Sequence, residues 1–210
     1  EADEFCKRMF GADYFNREGW QRIVDVHGGR IPLRIRAVPE GTVVPNRNVL
    51  VTMENTDTQL PWVTNFFETL LFEAEWYGST VATTSYFIKK KIDEYAKLAG
   101  ERVGPFHLND FGFRGASSLE SAGIGGSAHL VNFLGTDTLN GIRYAMHYYD
   151  ADVCGYSVAA TEHSVTCMYT KKGELDAYRS FIRKVPKGVL SVVSDTYDYY
   201  TVVDEWYGKL

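Results

Sequence analysis

Several features that would narrow the function quickly are scarce in these 210 residues. The three cysteines, Cys6, Cys154 and Cys167, are odd in number and lack metal-type spacing, so we expect free thiols in a reducing compartment. No apolar run approaches the roughly 18 residues of a membrane span, and the chain does not open with a basic and then apolar leader. We therefore expect a cytoplasmic protein that does not enter a membrane.

Positive charge is also in short supply. The 22 Lys and Arg residues face 27 Asp and Glu residues, which gives a net charge of -5 and a pI near 5.6. The one basic run, Lys89 to Lys91, fits the solvated face of a helix, so we expect no nucleic-acid partner. Because the first residue is Glu1 and not Met, we expect the chain to be a piece of something longer.

The first half, residues 1–105, is predicted to be a mixed α+β segment. Turn signals separate three short strands that we expect to pair in antiparallel fashion: Ile31–Ala37, Thr42–Val44 and Val49–Thr52. A helix over Leu60–Trp76 carries large apolar and aromatic residues at helical spacing, which predicts that they are core. Ser79 is predicted to cap a second helix that stops at Gly100. This half offers no catalytic signal.

From residue 106 to 210 the pattern changes to strand, turn and helix, repeated about four times. The apolar runs are Phe106–Leu108, Leu130–Phe133, Cys154–Val158 and Val189–Val193. Such alternation predicts parallel strands with crossover helices. In parallel α/β folds, ligands bind at the C-terminal ends of the strands, so the residues after each run are the candidates for a site.

The first of these turns, Asp110 to Gly123, joins a strand to a helix. Ser117 and Glu120 fit a capping box that opens the helix. Phe111 offers an aromatic face and Arg114 a cationic fork, a pair that suits an anionic ligand with a flat ring. The alternative interpretation is a core Phe beside a surface Arg.

The later turns place Asp137, His163 and Asp195 at corresponding positions. A His beside a carboxylate is held in one tautomer, which suits proton transfer or nucleophilic chemistry. Alternatively, both aspartates are helix caps and the histidine is structural. We favour a site because independent strand ends converge on it. No metal constellation or nucleotide fingerprint is visible, and residues 123–127, Gly-Ile-Gly-Gly-Ser, are predicted to lie in a helix packed on the sheet.

Eight short motifs follow one another along the chain: VPEG at 38–41, ENTD at 54–57, DFGFRG at 110–115, SAHLVNF at 127–133, GTDT at 135–138, GYSV at 155–158, EHS at 162–164 and SVVSD at 191–195. From about Phe15 to the C-terminus, the chain thereby resembles the type II phosphoribosyltransferase family, specifically its nicotinamide phosphoribosyltransferases. The resemblance implies a partial β/α barrel of about four parallel strands, forming the first half of the catalytic domain.

The resemblance also implies an activity. Members transfer the phosphoribosyl group of phosphoribosyl pyrophosphate to nicotinamide, which yields nicotinamide mononucleotide and pyrophosphate for NAD salvage. ATP is a coupled substrate, and Mg²⁺ accompanies phosphoribosyl pyrophosphate without a dedicated protein metal site. A homodimer, or a completing chain that supplies the other half of the barrel, is expected.

Site roles follow from the same resemblance, position by position. Phe111 would stack on the nicotinamide ring, Arg114 would bind near the ring and phosphate, and Asp137 would accept a hydrogen bond from the carboxamide nitrogen. His163 would be phosphorylated by ATP, with Asp195 as its hydrogen-bond partner. The remaining positions that would line the pocket are Ser157, Val158, Ala160 and Ser191.

Departures from the family pattern leave alternatives. Phe113, Leu119, Ala159 and Thr161 differ from the usual residues without removing a named catalytic group. The ribose-binding Arg-Pro-Asp-Ser-Gly stretch and the phosphate-binding glycine loops of the family are absent. One alternative is therefore a non-enzymatic binding or structural module, and another is a relative acting on nicotinate, which Asp137 disfavours. A half-barrel is also expected to leave open strand edges and an exposed apolar face.

Overall fold

The computed structural model describes residues 1–210. The first half contains three helices and two strands: α1 (Ala2–Phe10), α2 (Arg17–His27), β1 (Leu33–Ala37), β2 (Val51–Asn55) and α3 (Val63–Leu98). The two strands pair in antiparallel register, with Leu33 opposite Asn55 and Ala37 opposite Val51. The antiparallel prediction is therefore confirmed. The predicted strand at Thr42–Val44 is wrong, because these residues lie in the loop between β1 and β2 without a strand partner.

A buried carboxylate joins α2 to the start of α3. Asp57 Oδ2 accepts hydrogen bonds from His27 Nε2 and Arg22 Nε, each at 2.8 Å. These bonds hold the pKa of Asp57 well below its usual range. The adjoining apolar cluster consists of Ile23, Leu60 and Val63. Asp57 thus fixes the polar edge of a small core.

Helix α3 is continuous over 36 residues, so the predicted break at Ser79 is wrong. Ser79 lies inside the helix, where its hydroxyl donates to Glu75 Oε1 at 2.7 Å. Glycine at the preceding position costs only about 1 kcal/mol and does not stop a helix that packs elsewhere. None of the helices has the length and apolar content needed to span a membrane.

The prediction that the aromatic face of α3 is core holds only in part. Trp62 and Phe67 pack on the core that contains Val63. Phe66, Leu70 and Trp76, however, are each more than half exposed. A helix of this length extends about 54 Å. Only β2 and the helix over Leu119–His129 make substantial contacts with it.

The second half alternates short strands with helices. In order these are β3 (Asn109–Asp110), a 3₁₀ turn (Gly112–Gly115), α4 (Leu119–His129), β4 (Gly135–Thr136), α5 (Leu139–Tyr148), β5 (Ala159–Ala160), α6 (His163–Met168), α7 (Thr170–Lys184), β6 (Leu190–Ser191) and α8 (Tyr199–Thr201), followed by a π turn over Val202–Trp206 and a 3₁₀ turn over Tyr207–Lys209. Pairing is parallel between β3 and β4 and between β5 and β6. A parallel bridge between Gly135 and Tyr156 links β4 to the segment before β5. The predicted parallel alternation is confirmed, although these pairs form no closed barrel.

Strand positions differ from the apolar runs. The runs at Phe106–Leu108 and Leu130–Phe133 lie just before β3 and β4, and Tyr156 alone of Cys154–Val158 pairs. Leu130–Phe133 is instead a tight turn, in which the amides of Asn132 and Phe133 donate to His129 O. Only Val189–Val193 contains its strand, β6. The strands are two residues long, and most residues of the apolar runs lie in the turns and loops around them.

Helix α4 begins one residue later than predicted and packs on helices. Ser118 is its cap: the Ser118 hydroxyl accepts from Ser121 N at 3.0 Å, and Ser121 Oγ accepts from Ser118 N at 2.9 Å. The predicted box of Ser117 and Glu120 is therefore wrong. The glycines of α4 face α3 and α5, not the sheet as predicted, because a Cβ at Gly125 would lie 3.0 Å from Tyr77 Oη and one at Gly126 would lie 2.8 Å from Gly141 Cα.

Gly141→Ala is predicted to destabilise the protein. Its new methyl group would lie 2.6 Å from Gly126 Cα, and overpacking of this kind costs about 1–3 kcal/mol. The matched control is Gly208→Ala, where a Cβ meets nothing within 4 Å. Thermal and denaturant unfolding should show a clear loss for the first variant and little change for the second. Equal stability of both variants would mean that α4 and α5 do not depend on this contact.

Candidate functional site

The parallel pairing places the ends of neighbouring strands side by side. Asp110 pairs with Thr136, and Asp137 N donates to Asp110 O at 2.9 Å. Phe111 and Asp137 are thus the next residues along two adjacent strands. The site expected at the C-terminal ends of parallel strands therefore has a structural basis here.

The Asp137 carboxylate is held from both sides. Ser157 Oγ donates to its Oδ1 at 2.7 Å, and Asn109 Nδ2 donates to its Oδ2 at 2.6 Å. Asp137 is exposed and does not cap α5, whose N-cap is Thr138. The cap interpretation is therefore wrong. Sequence reasoning missed Asn109, although its place immediately before the Asp110-Phe111 turn was a usable signal.

Phe111 and Arg114 are both at the surface. The Phe111 ring is 60% exposed, so the core interpretation of this residue is wrong. Gly112 N donates to Asp110 Oδ1 at 2.7 Å, which tightens the turn that carries the ring. Arg114 lies in the 3₁₀ turn and has no ion-pair or hydrogen-bond partner among the side chains of this chain. Both side chains are available to a ligand.

His163 and Asp195 meet as the sequence suggested. His163 Nε2 and Asp195 Oδ1 are 2.8 Å apart, and the hydrogen bond with His163 lowers the pKa of Asp195. Asp195 is not a helix cap, since Asp198 caps α8. Thr161 supports the pair: its amide donates to Ser191 O at 3.0 Å, and its hydroxyl accepts from Val193 N at 3.0 Å.

The predicted site residues form two groups along one edge. Asp137 and Ser157 are joined by a hydrogen bond, and Ala160 pairs with Ser191 between β5 and β6. The segment from Ser157 to His163, which includes Val158 and is exposed except at Thr161, connects the first group to the His163–Asp195 pair. No hydrogen bond joins Asp137 to His163.

A shallow surface groove lies between α3 and β3, and its lining includes Asn109, Phe111 and His129. His129 Nε2 contacts Gly135 O at 2.8 Å and so ties α4 to β4 behind the site. No group of three or more His, Cys, Asp or Glu side chains is placed to hold a metal ion.

Comparison with known proteins identifies relatives of this chain. The chain is 48% identical over 199 residues to the nicotinamide phosphoribosyltransferase of Xanthomonas campestris pv. campestris, which covers 92% of this chain and 42% of that protein. It is 40% identical over 186 residues to the Acinetobacter baylyi protein of the same name, covering 87% and 37%. For Mycoplasma pneumoniae the identity is 33% over 180 residues, covering 83% and 38%. The chain thus spans about two fifths of the length of these relatives.

The family model for nicotinate phosphoribosyltransferase (NAPRTase) matches residues 106–210, the half that carries Phe111, Asp137 and the His163–Asp195 pair. On this match and these relatives, the chain belongs to the NAPRTase family.

Proposed function

We propose that this protein transfers the phosphoribosyl group of phosphoribosyl pyrophosphate to nicotinamide, forming nicotinamide mononucleotide and pyrophosphate in NAD salvage. The observation that carries the proposal is the Asp137 carboxylate, fixed by two side-chain donors next to the exposed Phe111 ring. The names of the relatives support the same reaction. The flat ring would stack on Phe111, with its carboxamide directed to Asp137.

Asp137 would make the site prefer the amide to the acid. Nicotinamide donates N–H hydrogen bonds that a carboxylate accepts, whereas nicotinate brings a second negative charge. Two like charges about 4 Å apart repel by about 1 kcal/mol in water and by about 4 kcal/mol at an effective dielectric near 20. Since 1.4 kcal/mol is a tenfold effect, nicotinate is disfavoured by about fivefold to about a thousandfold. The exposure of Asp137 favours the lower part of that range.

The other residues at the strand ends would complete the substrate pocket. Arg114, which is unpaired in the chain, would bind near the ring and the ribose phosphate. The side chains that would line the pocket are Ser157, Val158, Ala160 and Ser191. This proposal is supported by the hydrogen bond between Ser157 and Asp137 and by the pairing of Ala160 with Ser191.

His163 would accept a phosphoryl group from ATP. Its Nε2 is bonded to Asp195, which leaves Nδ1 as the nucleophile. A new N–P bond forms at Nδ1, the P–O bond to the β-phosphate breaks, and ADP leaves. Hydrolysis of the phosphohistidine would then be coupled to product formation. Mg²⁺ would arrive bound to phosphoribosyl pyrophosphate.

The complete enzyme would need further structure around this chain. We assign residues 1–105 to a mixed α+β segment and 106–210 to the first half of a β/α barrel. A second subunit in a homodimer, or further chain, would supply the ribose and phosphate sites and cover exposed apolar side chains such as Phe66 and Trp76. Only 26 of the 210 residues are buried, which leaves much surface for such contacts.

Asp137→Asn is predicted to relax the choice between nicotinamide and nicotinate. Removing the charge abolishes the repulsion of the acid, so the ratio of kcat/KM values should fall at least about fivefold. The control is Asp176→Asn, which removes an exposed carboxylate from α7 and should leave the ratio unchanged. An unaltered ratio in Asp137→Asn would refute the carboxamide contact.

His163→Ala is predicted to abolish the stimulation of product formation by ATP while leaving some basal activity. Without the imidazole no phosphohistidine can form, and a ³²P label from γ-labelled ATP should be lost from the protein. His147→Ala removes an exposed histidine at the end of α5 and should retain both the label and the stimulation. Persistence of ATP stimulation in His163→Ala would rule out the assigned role.

A further inference from the structure

Asn109 joins β3 to the specificity-determining carboxylate of the next strand. Its amide nitrogen donates to Asp137 Oδ2 at 2.6 Å, while Ser157 donates to Oδ1 at 2.7 Å. The Asp137 backbone is tied to the residue after Asn109, because Asp137 N donates to Asp110 O. Asp137 is therefore restrained at its amide and at both carboxylate oxygens.

Gly135 makes room for this contact. Asn109 and Gly135 are opposite each other in the β3–β4 pair, and a Cβ at position 135 would lie 2.8 Å from Asn109 Oδ1. The Asn109 side chain thus passes over the glycine to reach Asp137, the residue that follows β4. A strand glycine that admits a close neighbour is a recognised use of that residue.

Together, these contacts determine which lone pairs of the Asp137 carboxylate remain free to bind a ligand. A carboxylate has about four lone-pair sites, and Asn109 and Ser157 each occupy one, on different oxygens. The free lone pair on each oxygen remains for N–H donors of a ligand. An amide donor and a hydroxyl donor also fix the rotation of the carboxylate, so less ordering is required when a carboxamide binds.

We propose that Asn109 is a positioning residue, which with Ser157 holds the Asp137 carboxylate in the orientation that accepts the carboxamide of nicotinamide. This inference rests on the proposed function and assigns a residue that directs its specificity. Asn109 acts through Asp137 and not by contact with the reacting atoms.

The test compares the Asn109→Leu variant with the wild type, both made as the intact protein. Leucine is close to asparagine in size but lacks the amide N–H donor. Loss of a hydrogen bond to a charged group predicts a rise in the nicotinamide KM on the order of tenfold, with little change in kcat. The preference for nicotinamide over nicotinate should fall with it. The double variant with Ser157→Ala should be non-additive, since both residues act on one carboxylate.

The isosteric Asn109→Asp variant gives a readout that a structural role would not produce. Two adjacent carboxyl groups share one proton when the pH is low enough, and then an O–H donor replaces the amide. The nicotinamide KM of this variant should therefore improve as the pH falls, whereas the defect of Asn109→Leu should not depend on pH. The Asn109→Asp variant also allows the proposal to be tested if Asn109→Leu does not fold.

Asn132→Leu is the matched control. Asn132 donates to Ala82 O at 2.9 Å and to Ser85 Oγ at 2.7 Å, so its loss should lower Tm without changing KM or the nicotinamide preference. An active wild type with unchanged KM and preference in Asn109→Leu would overturn the role of Asn109 and leave the proposed function standing. If the wild type binds nicotinamide but forms no product, the proposed function is overturned. The nicotinamide Kd of Asn109→Leu, measured by calorimetry against that of the wild type, then tests the role of Asn109: a weaker Kd supports it and an equal Kd overturns it. No binding of either ring would overturn both.

Discussion

The close approach of α4 to α5 at Gly126 and Gly141 is the constraint on which the second half of the structure depends. Backbone meets backbone there, because a side chain on either glycine would overlap the other helix. Helix α4 connects β3 to β4, and α5 leads from β4 to the bridge at Tyr156. The separation of the two helices therefore governs how three successive parallel segments pair. Strands only two residues long have few hydrogen bonds of their own with which to set that pairing.

The candidate site follows from this pairing. Asn109 and Asp137 lie on neighbouring strands, and Ser157 follows the bridge residue, so the three side chains converge only when the segments are in register. The His163–Asp195 pair depends in the same way on β5 and β6, which Thr161 fastens through its amide and hydroxyl. The Asp137 carboxylate lies at the end of the β3–β4 pair, and the His163–Asp195 pair lies at the ends of β5 and β6. Because the proposed pocket residues Ala160 and Ser191 belong to the β5–β6 pair, that pair would link the carboxamide contact to the histidine.

The sequence predicted features that depend on local pattern repeated along the chain. The alternation after residue 105 gave the parallel pairs, and the turn residues gave the antiparallel pair of β1 and β2. Features set by tertiary contact were not predictable in this way. Nothing local reveals that α3 continues through Ser79, or that Phe66 and Trp76 remain exposed on the helix whose first residue, Val63, is buried. Asn109 was missed because its role depends on Gly135 and Asp137 in the next strand. Asp137, His163 and Asp195 could be nominated because chemistry-bearing residues follow strand ends.

The most direct test of the central claim is a crystal structure of the intact protein with nicotinamide bound. The account predicts that the ring lies against Phe111 and that the carboxamide nitrogen is about 3 Å from an Asp137 carboxylate oxygen, within hydrogen-bonding distance. A ring bound elsewhere, or a carboxamide turned away from Asp137, would contradict it.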